Sequence, residues 1–598
     1  MNITPNKLTI GQLFANQNEQ FIIPAYQRRY AWKEVQVRAM FDDIDLLQEN
    51  DNHLFGMLVF HAKTFIGGLN QPELVDGQQR ITTLSILLMA IRKRFLELDK
   101  QEKAYEITKM LTSKGYDDIE RNKVILGDLD NSDYSYLIKE KNFDQIKNQN
   151  LKNAYMSFYA WVSKRNLEQI NKFFYKLINV AVVIRLDIGL AKDAYKLFET
   201  INNRGLKLSG TDLIKNFLFG HASQLGDHIL EEIKDIWTEV ITNLDDIDTD
   251  DFLRQYMCML LTRKVSFTEL VDDFKKHYFI NVLESEQLVE YAQYVTAQRT
   301  SLFEEKESEE VDKDTVIVAK VEKISIIEFV EKIKFASLLY KKIINRAFED
   351  ERINRHLYNL ERILSVPSYI FLMNLLGRFY SIVQIISVLK IIETFILRRH
   401  ICEFRTGEHD DIFARLNRLC DQESILSIEV RVKNALQEHL PSNGLFVSSL
   451  PNHKFKGKLR GRAKYMLEQI EYYNFHHTGE FILSSSNEVH LEHIIPETIT
   501  TKKAKKEFGD WETYLGVDAI ELHPKYIHLI GNMTLLAGSL NISASNNPFL
   551  DKQLFYSKSK IQLTRMLATD YNNFVFKDVD ERGQKLAEIA LNIWTFKD

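Results

Sequence analysis

The chain has 598 residues, with 77 Lys+Arg against 83 Asp+Glu and a formal net charge of −6. A hydrophobic fraction of 45% and an aromatic fraction of 11% supply ample material for packed cores, which excludes an intrinsically disordered chain. Only 9 Pro and 23 Gly occur, favouring long helices over collagen-like or turn-rich all-β designs. The length suits about two to four domains. Cys258, Cys402 and Cys420 form no CxxC pair, which excludes a Cys-based zinc knuckle and fits a reducing compartment. The start, MNITPNKLTIGQLF, has no basic segment followed by an apolar core, so no secretory signal is expected and a cytoplasmic location is. A nearly balanced charge leaves nucleic acid open as a partner, because local patches decide that.

In chain order, residues 20–24 and 56–61 read as short strands, and residues 81–98 as a long helix with apolar spacing of three and four. KLINVAVVIRLD, residues 176–187, is rich in β-branched side chains and reads as a central strand. Strands alternating with helices predict an α/β or α+β unit over residues 1–220. Residues 221–440 read as almost wholly helical. An acidic stretch at 304–314 is expected to be a solvated loop or helix face. The most apolar stretch, residues 370–397, is interrupted by Arg378 and Lys390, so it predicts a buried helix pair rather than a membrane span.

Composition changes again near Pro441. Lys454, Lys456, Lys458, Arg460, Arg462 and Lys464 then alternate along the chain. In an extended segment they would share one face and suit a phosphate backbone. A solvated edge strand accounts for the same pattern.

Three segments of the first unit carry chemistry. Asp76-Gly77-Gln78-Gln79-Arg80 precedes the long helix. A helix start attracts anions, Gly77 permits close approach, and the Gln78 and Gln79 amides and the Arg80 fork can donate to phosphate. Asp76 could hold a cation or merely cap the helix. Around Tyr26, Gln27 and Arg28, arginines interleave with aromatics, a pattern that serves base stacking or simple core anchoring. Asn203-Arg204-Gly205 reads as a turn closing a helix, with Thr211 or Asp212 capping the next.

Together these segments resemble the N-terminal domain of the GmrSD-type restriction endonucleases, a ParB-like nucleotidase fold, over residues 8–220. The match lies in the PAYQRRYAW segment, in DGQQR followed by Thr82 and Thr83, and in NNRG leading to DLIKN. The resemblance implies that a nucleoside triphosphate of unspecified base is bound and hydrolysed with a divalent metal. It places Asp76, Gly77, Gln78, Gln79 and Arg80 at that site, with Tyr26, Gln27, Arg28, Asn203 and Arg204 beside it. Arg398-Arg399 in ETFILRRHIC looks like the family's linking region.

The C-terminal part carries Val489-His490-Leu491-Glu492-His493-Ile494-Ile495-Pro496-Glu497. A carboxylate beside a histidine can divide labour between holding a cation and deprotonating water; for one such dipeptide, a capping or core histidine is the commoner reason. Gly531-Asn532-Met533-Thr534-Leu535-Leu536 and Asn541 follow, then Ser543, Ser545, Asn546, Pro548, Phe549 and Lys552. The order resembles the HNH, or His-Me finger, nucleases, and the C-terminal domain of the GmrSD-type family in particular. That resemblance implies His493 as general base and Asn532 as a catalytic-loop prop. Glu492 and Asn541 would be ligands of Mg2+ or Mn2+, and His490 and Lys552 phosphate contacts.

The expected protein is α+β and predominantly helical: a ParB-like nucleotide-binding domain over 1–220, a helical coupling region over 221–440, and a ββα-metal HNH nuclease domain over 441–598. Its expected work is anti-phage defence as a type IV, modification-dependent restriction enzyme. It would cut modified double-stranded phage DNA, with Lys454 to Arg462, Lys552 and a run at Lys502–Lys506 contacting DNA. A homodimer is an open expectation; a membrane partner is not expected. Two rival readings are a nonspecific nicking DNase with a regulatory N-terminal domain, and a nucleotide-gated DNA-binding protein with an inactive nuclease domain.

Overall fold

The computed structural model describes residues 3–48, 53–189, 193, 209–288, 322–422, 424–475, 488–499 and 510–596. Its residues fall into two compact units, Met1–Met257 with Val265–Lys341, and Cys258–Lys264 with Lys342–Asp598. The helical stretch 221–440 is thus divided between the two. The acidic stretch 304–314, Asn203, Arg204 and Lys502 to Lys506 lie outside the described residues.

The first unit is built on strands β1 (Ile3–Thr9), β2 (Phe21–Ile22), β3 (His53–Ile66), β4 (Leu69–Asp76), β5 (Thr112–Lys114), β6 (Glu120–Asn122), β7 (Val124–Ile125) and β8 (Ala181–Ile188). Six of them form one sheet in the order β1-β8-β3-β4-β2-β7, while β5 and β6 pair separately. The sheet is mixed: β1 runs antiparallel to β8, β8 parallel to β3, and β3 antiparallel to β4. β8 is an interior strand, and its run AVVIRLDI supplies the β-branched side chains that suit that position.

Residues 176–180, expected as the start of this strand, instead form a π-helical turn. The helix Leu167–Tyr175 buries Ile170, Phe173 and Phe174, and Leu177 and Val180 continue that spacing. Helical burial here outweighs local β propensity.

Helix Gln78–Glu97 leaves β4 through Gly77 and is buried along nearly its whole length. Its Ile81, Leu84, Leu87, Leu88, Ile91 and Phe95 join Phe14, Phe21, Phe60, Tyr134 and Phe158 in the core of the unit. Helices Gly210–Leu225, Asp227–Leu244 and Leu270–Asn281 follow. The first of these is capped by Ser209, whose hydroxyl accepts from Asp212 N; Thr211 and Asp212 are already inside the helix. Ser209 sits one turn before the first committed apolar positions, as an N-cap must.

The second unit is mainly helical, with Glu351–Arg362, Tyr369–Leu376, Ile382–Ile401, His409–Asp421, Ile428–Gln437, Arg460–Phe475 and Phe576–Ile593. The apolar stretch resolves into the helices Tyr369–Leu376 and Ile382–Ile401, capped at Ser381. Among the described residues no helix is long and apolar enough to cross a membrane.

The alternating basic segment is not an extended stripe. Lys454 makes one isolated bridge with Leu529, residues 457–459 form a 3-10 turn, and Arg460 opens a helix. On a helix, residues two apart lie about 200° apart, so the charges fan out. Arg462 turns inward, 4% exposed, and donates to the Ile363 carbonyl at 3.3 Å. It is therefore a packing residue, not the expected DNA contact.

Within this unit β9 (Val489–His493) and β10 (Met533–Ala537) pair antiparallel, with His493 opposite Met533 and Glu492 opposite Thr534. Helix Gly538–Ala544 follows β10 directly and packs against both strands. Gly531, just before β10, lies so close to helix Phe576–Ile593 that an added Cβ would meet the Val579 carbonyl oxygen at 2.0 Å. Gly531→Ala should therefore cost about 1–3 kcal/mol, read as a lower thermal-unfolding midpoint in near-ultraviolet circular dichroism.

Candidate functional site

The N-terminal candidate site begins at the β4–helix junction. Gly77 has φ of 100°, and a Cβ there would meet Leu58 Cδ2 at 2.3 Å. Only glycine fits that turn. Gly56 serves Arg80 in the same way: its hypothetical Cβ would fall 2.1 Å from Arg80 Nη1. Arg80 lies across this opening and pairs with Asp76 at 3.3 Å.

The other motif residues divide into braces and free groups. Gln79 is a brace, accepting from Ala31 N at 2.8 Å and donating to the Arg29 carbonyl at 3.1 Å. Gln27 donates to the Val75 carbonyl at 3.0 Å and accepts from Lys215. Tyr26 donates to Glu73 and packs edge-on against Phe219. Arg28 Nε lies 3.2 Å from Asp212 Oδ2, with the arginine 30% exposed. A cavity opens beside Arg28, lined also by Gln78, Gln79, Thr82 and the stretch Gly127–Asp130. Those groups are the first turns of helices Gln78–Glu97 and Asp128–Lys139, so two helix N-termini face one pocket.

Charge among Asp76, Arg80, Asp212, Lys215 and Arg28 is linked. Burial, joined by the nearby Asp212 carboxylate, pushes Asp76 above the usual carboxylate range although Arg80 opposes it. Burial acts the same way on Asp212, but Lys215 and Arg28 outweigh it and hold that carboxyl low. Burial also lowers the Lys215 ammonium.

In the C-terminal unit, Asn532 is fully buried. Its Oδ1 accepts from Ile495 N at 2.8 Å, and its Nδ2 donates to the carbonyls of Ile495 (3.0 Å) and Ile527 (3.1 Å). The loop leaving His493 is thereby pinned. Lys552, expected to touch DNA phosphate, is instead fully buried. Its ammonium donates to Glu492 Oε1 at 2.6 Å and to the carbonyls of His493 (2.8 Å) and Ile494 (3.2 Å). With three bonds made and no exposure, it has nothing left for a phosphate. Glu492, expected as a metal ligand, is committed to this pair and is also reached by Tyr556 OH at 3.3 Å.

His493 is 9% exposed, and its Nε2 has no partner. Burial, aided by Arg460, His528, Lys552 and His523, lowers its pKa to about 3, which favours the neutral imidazole near neutral pH. The His528 ring centroid lies 5.8 Å away, and His528 Nδ1 is likewise without a hydrogen-bond partner. Glu497 Oε1 lies 3.8 Å from that nitrogen. One donor atom each from His493, Glu497 and His528 fall within 4.8 Å of one another, close enough to hold a metal ion. Two nitrogens and a carboxylate suit a borderline cation such as Mn2+ or Zn2+ better than Mg2+.

Asn541 sits on helix Gly538–Ala544. His490 lies on β9 opposite Leu536, against Gly538. Glu497 and His528 were not singled out by sequence reasoning. Each is four residues from a motif position, His493 and Asn532 respectively, which was the available signal.

Two family models match the chain. The GmrSD restriction endonuclease N-terminal domain covers residues 10–219, and the GmrSD C-terminal domain covers residues 441–589. Together they span more than half of the sequence. The chain belongs to the GmrSD restriction endonuclease family. A GmrSD protein is a restriction endonuclease, so this chain is a nuclease and DNA is its substrate class. No curated protein matches the chain.

Both candidate sites lie inside the two GmrSD segments. Removing one member of the buried Glu492–Lys552 pair should be severe. Lys552→Met should cost about 3–5 kcal/mol by leaving a buried carboxylate uncompensated. The double change Glu492→Leu with Lys552→Met should recover most of that loss in urea unfolding followed by fluorescence.

Proposed function

We propose that this GmrSD protein is a nucleotide-regulated DNA endonuclease that cuts modified foreign DNA by metal-assisted phosphodiester hydrolysis. The observation that carries the reading is the neutral, unpartnered Nε2 of His493, buried beside His528 and Glu497. A neutral imidazole can take a proton from an attacking water, and the phosphate anion of bound DNA would raise the basicity that burial lowers. Asn532 holds the loop that aims it. Because Glu492 is committed to Lys552, we assign the divalent cation to Glu497 and His528 rather than to Glu492 with Asn541. The cation supplies charge stabilisation for the developing phosphorane-like state and the leaving oxygen. Under this reading the strand-strand-helix of β9, β10 and Gly538–Ala544 serves as an HNH-type nuclease core.

The N-terminal unit, by the same proposal, is a ParB-like nucleotide sensor. Arg28, Gln78 and the N-terminus of helix Gln78–Glu97 at its pocket are the groups that would meet a nucleotide's phosphates. Asp76, paired with Arg80 and electrostatically coupled to Asp212, is the carboxylate to which this proposal gives the nucleotide's cation. The helical segments would relay nucleotide state to cutting.

Cleavage of plasmid and phage DNA with Mn2+ or Mg2+ tests both halves. Wild type should cut, and His493→Ala should lose about 10²–10⁴-fold in rate. Asp76→Ala should keep the intrinsic nuclease but lose its response to nucleoside triphosphate. A His493→Ala protein that still cut at the wild-type rate would end the assignment.

A further inference from the structure

Arg460 opens helix Arg460–Phe475 with its side chain 43% exposed, and its Nη2 pairs with Glu497 Oε1. Its Nε has no hydrogen-bond partner. Glu497 is also the carboxylate of the cluster with His493 and His528. One carboxylate therefore has two claimants, a guanidinium and a divalent cation. Two positive charges at a single carboxylate repel each other, so each weakens the other's hold.

The backbone fixes this competition in place. Phe455 N donates to the His528 carbonyl at 2.9 Å, and Lys454 bridges Leu529. The basic segment is thus laid alongside the turn that carries His528, which brings Arg460 to Glu497. An isolated ion pair at this exposure would be worth little for stability. What sets it apart is its neighbourhood: the orphaned His493 Nε2, nine-tenths buried, and the orphaned His528 Nδ1.

We propose that Arg460 is a catalytic residue held in reserve by Glu497. When Glu497 and His528 take up a divalent cation, the guanidinium is released and turns to the scissile phosphate. There its fork neutralises charge gathering on the non-bridging oxygens. Cutting then requires the cation for a second reason, since without it the arginine stays on Glu497. The proposal rests on the nuclease reading above.

The test uses the full-length protein, with Mn2+ followed by electron paramagnetic resonance and DNA cutting followed under single-turnover conditions at saturating Mn2+. Arg460→Gln should bind Mn2+ about tenfold more tightly, since the competitor is gone. It should cut about a hundredfold more slowly, with Arg460→Lys between it and wild type. Glu497→Gln should lose the Mn2+ site. Arg460 is at an exposed helix start, and an unchanged melting temperature excludes a folding effect. Unchanged or weaker Mn2+ binding by Arg460→Gln overturns the exchange, and a wild-type cutting rate overturns the catalytic role. If no variant and no wild-type sample cuts DNA, the nuclease reading falls. The Mn2+ titration still decides whether Glu497 trades Arg460 for a cation.

Discussion

A lysine ammonium closed inside the C-terminal unit governs how its candidate site is arranged. Lys552 reaches under β9 and binds the Glu492 carboxylate together with the two carbonyls that follow it. Such a group is costly to bury unless every proton finds an acceptor, and here all three do. The result is a rigid end to β9. His493 is the next residue, so its ring is presented from a strand that cannot easily twist. Asn532 completes the restraint from the opposite side by holding Ile495 through both its N–H and its carbonyl. Arg582, also buried, donates to the carbonyls of Gly531 (2.8 Å) and Met533 (2.7 Å) and fixes the start of β10.

These interior bonds leave a particular set of groups unspent. His493 Nε2 and His528 Nδ1 have no hydrogen-bond partner, while neighbouring polar groups such as His523 are satisfied, in its case by the Pro496 carbonyl at 2.7 Å. Buried polar atoms in folded proteins are almost always paired. What distinguishes these two nitrogens from other unpartnered buried atoms is that they share a cluster with the Glu497 carboxylate, and the proposed metal site rests on that. The N-terminal unit shows the same economy. Gln79 and Gln27 spend their amides on backbone while facing the same pocket as Gln78 and Arg28.

Much of this was legible beforehand because it depends on local rules. DGQQR stood just before the long helix with a glycine read as allowing close approach, and the structure gives Gly77 a positive φ at the strand-to-helix turn. The run from Ile81 showed helical spacing, and the apolar stretch 370–397, interrupted at Arg378 and Lys390, implied a helix pair; the two helices part at Gly377–Ser381. Less was legible wherever identity depends on partners far away in sequence. Lys552 and Arg462 looked like DNA contacts because they are cationic. Both are buried, since acceptors some sixty and one hundred residues away were folded against them. Glu492 looked like a ligand for the same reason in reverse.

The sequence by itself determined the family, the order of the segments, and the residue types at each candidate site. Motif spacing is a local property and survives being read along a line. The tertiary structure alone decided which of those residues are available. Charge neutralisation at Glu492 and the orphaning of His493 depend on which groups meet in space. So does the pairing of Glu497 with Arg460 beside His528. Availability is set by desolvation and by competition for hydrogen bonds, and neither can be counted until the chain has folded.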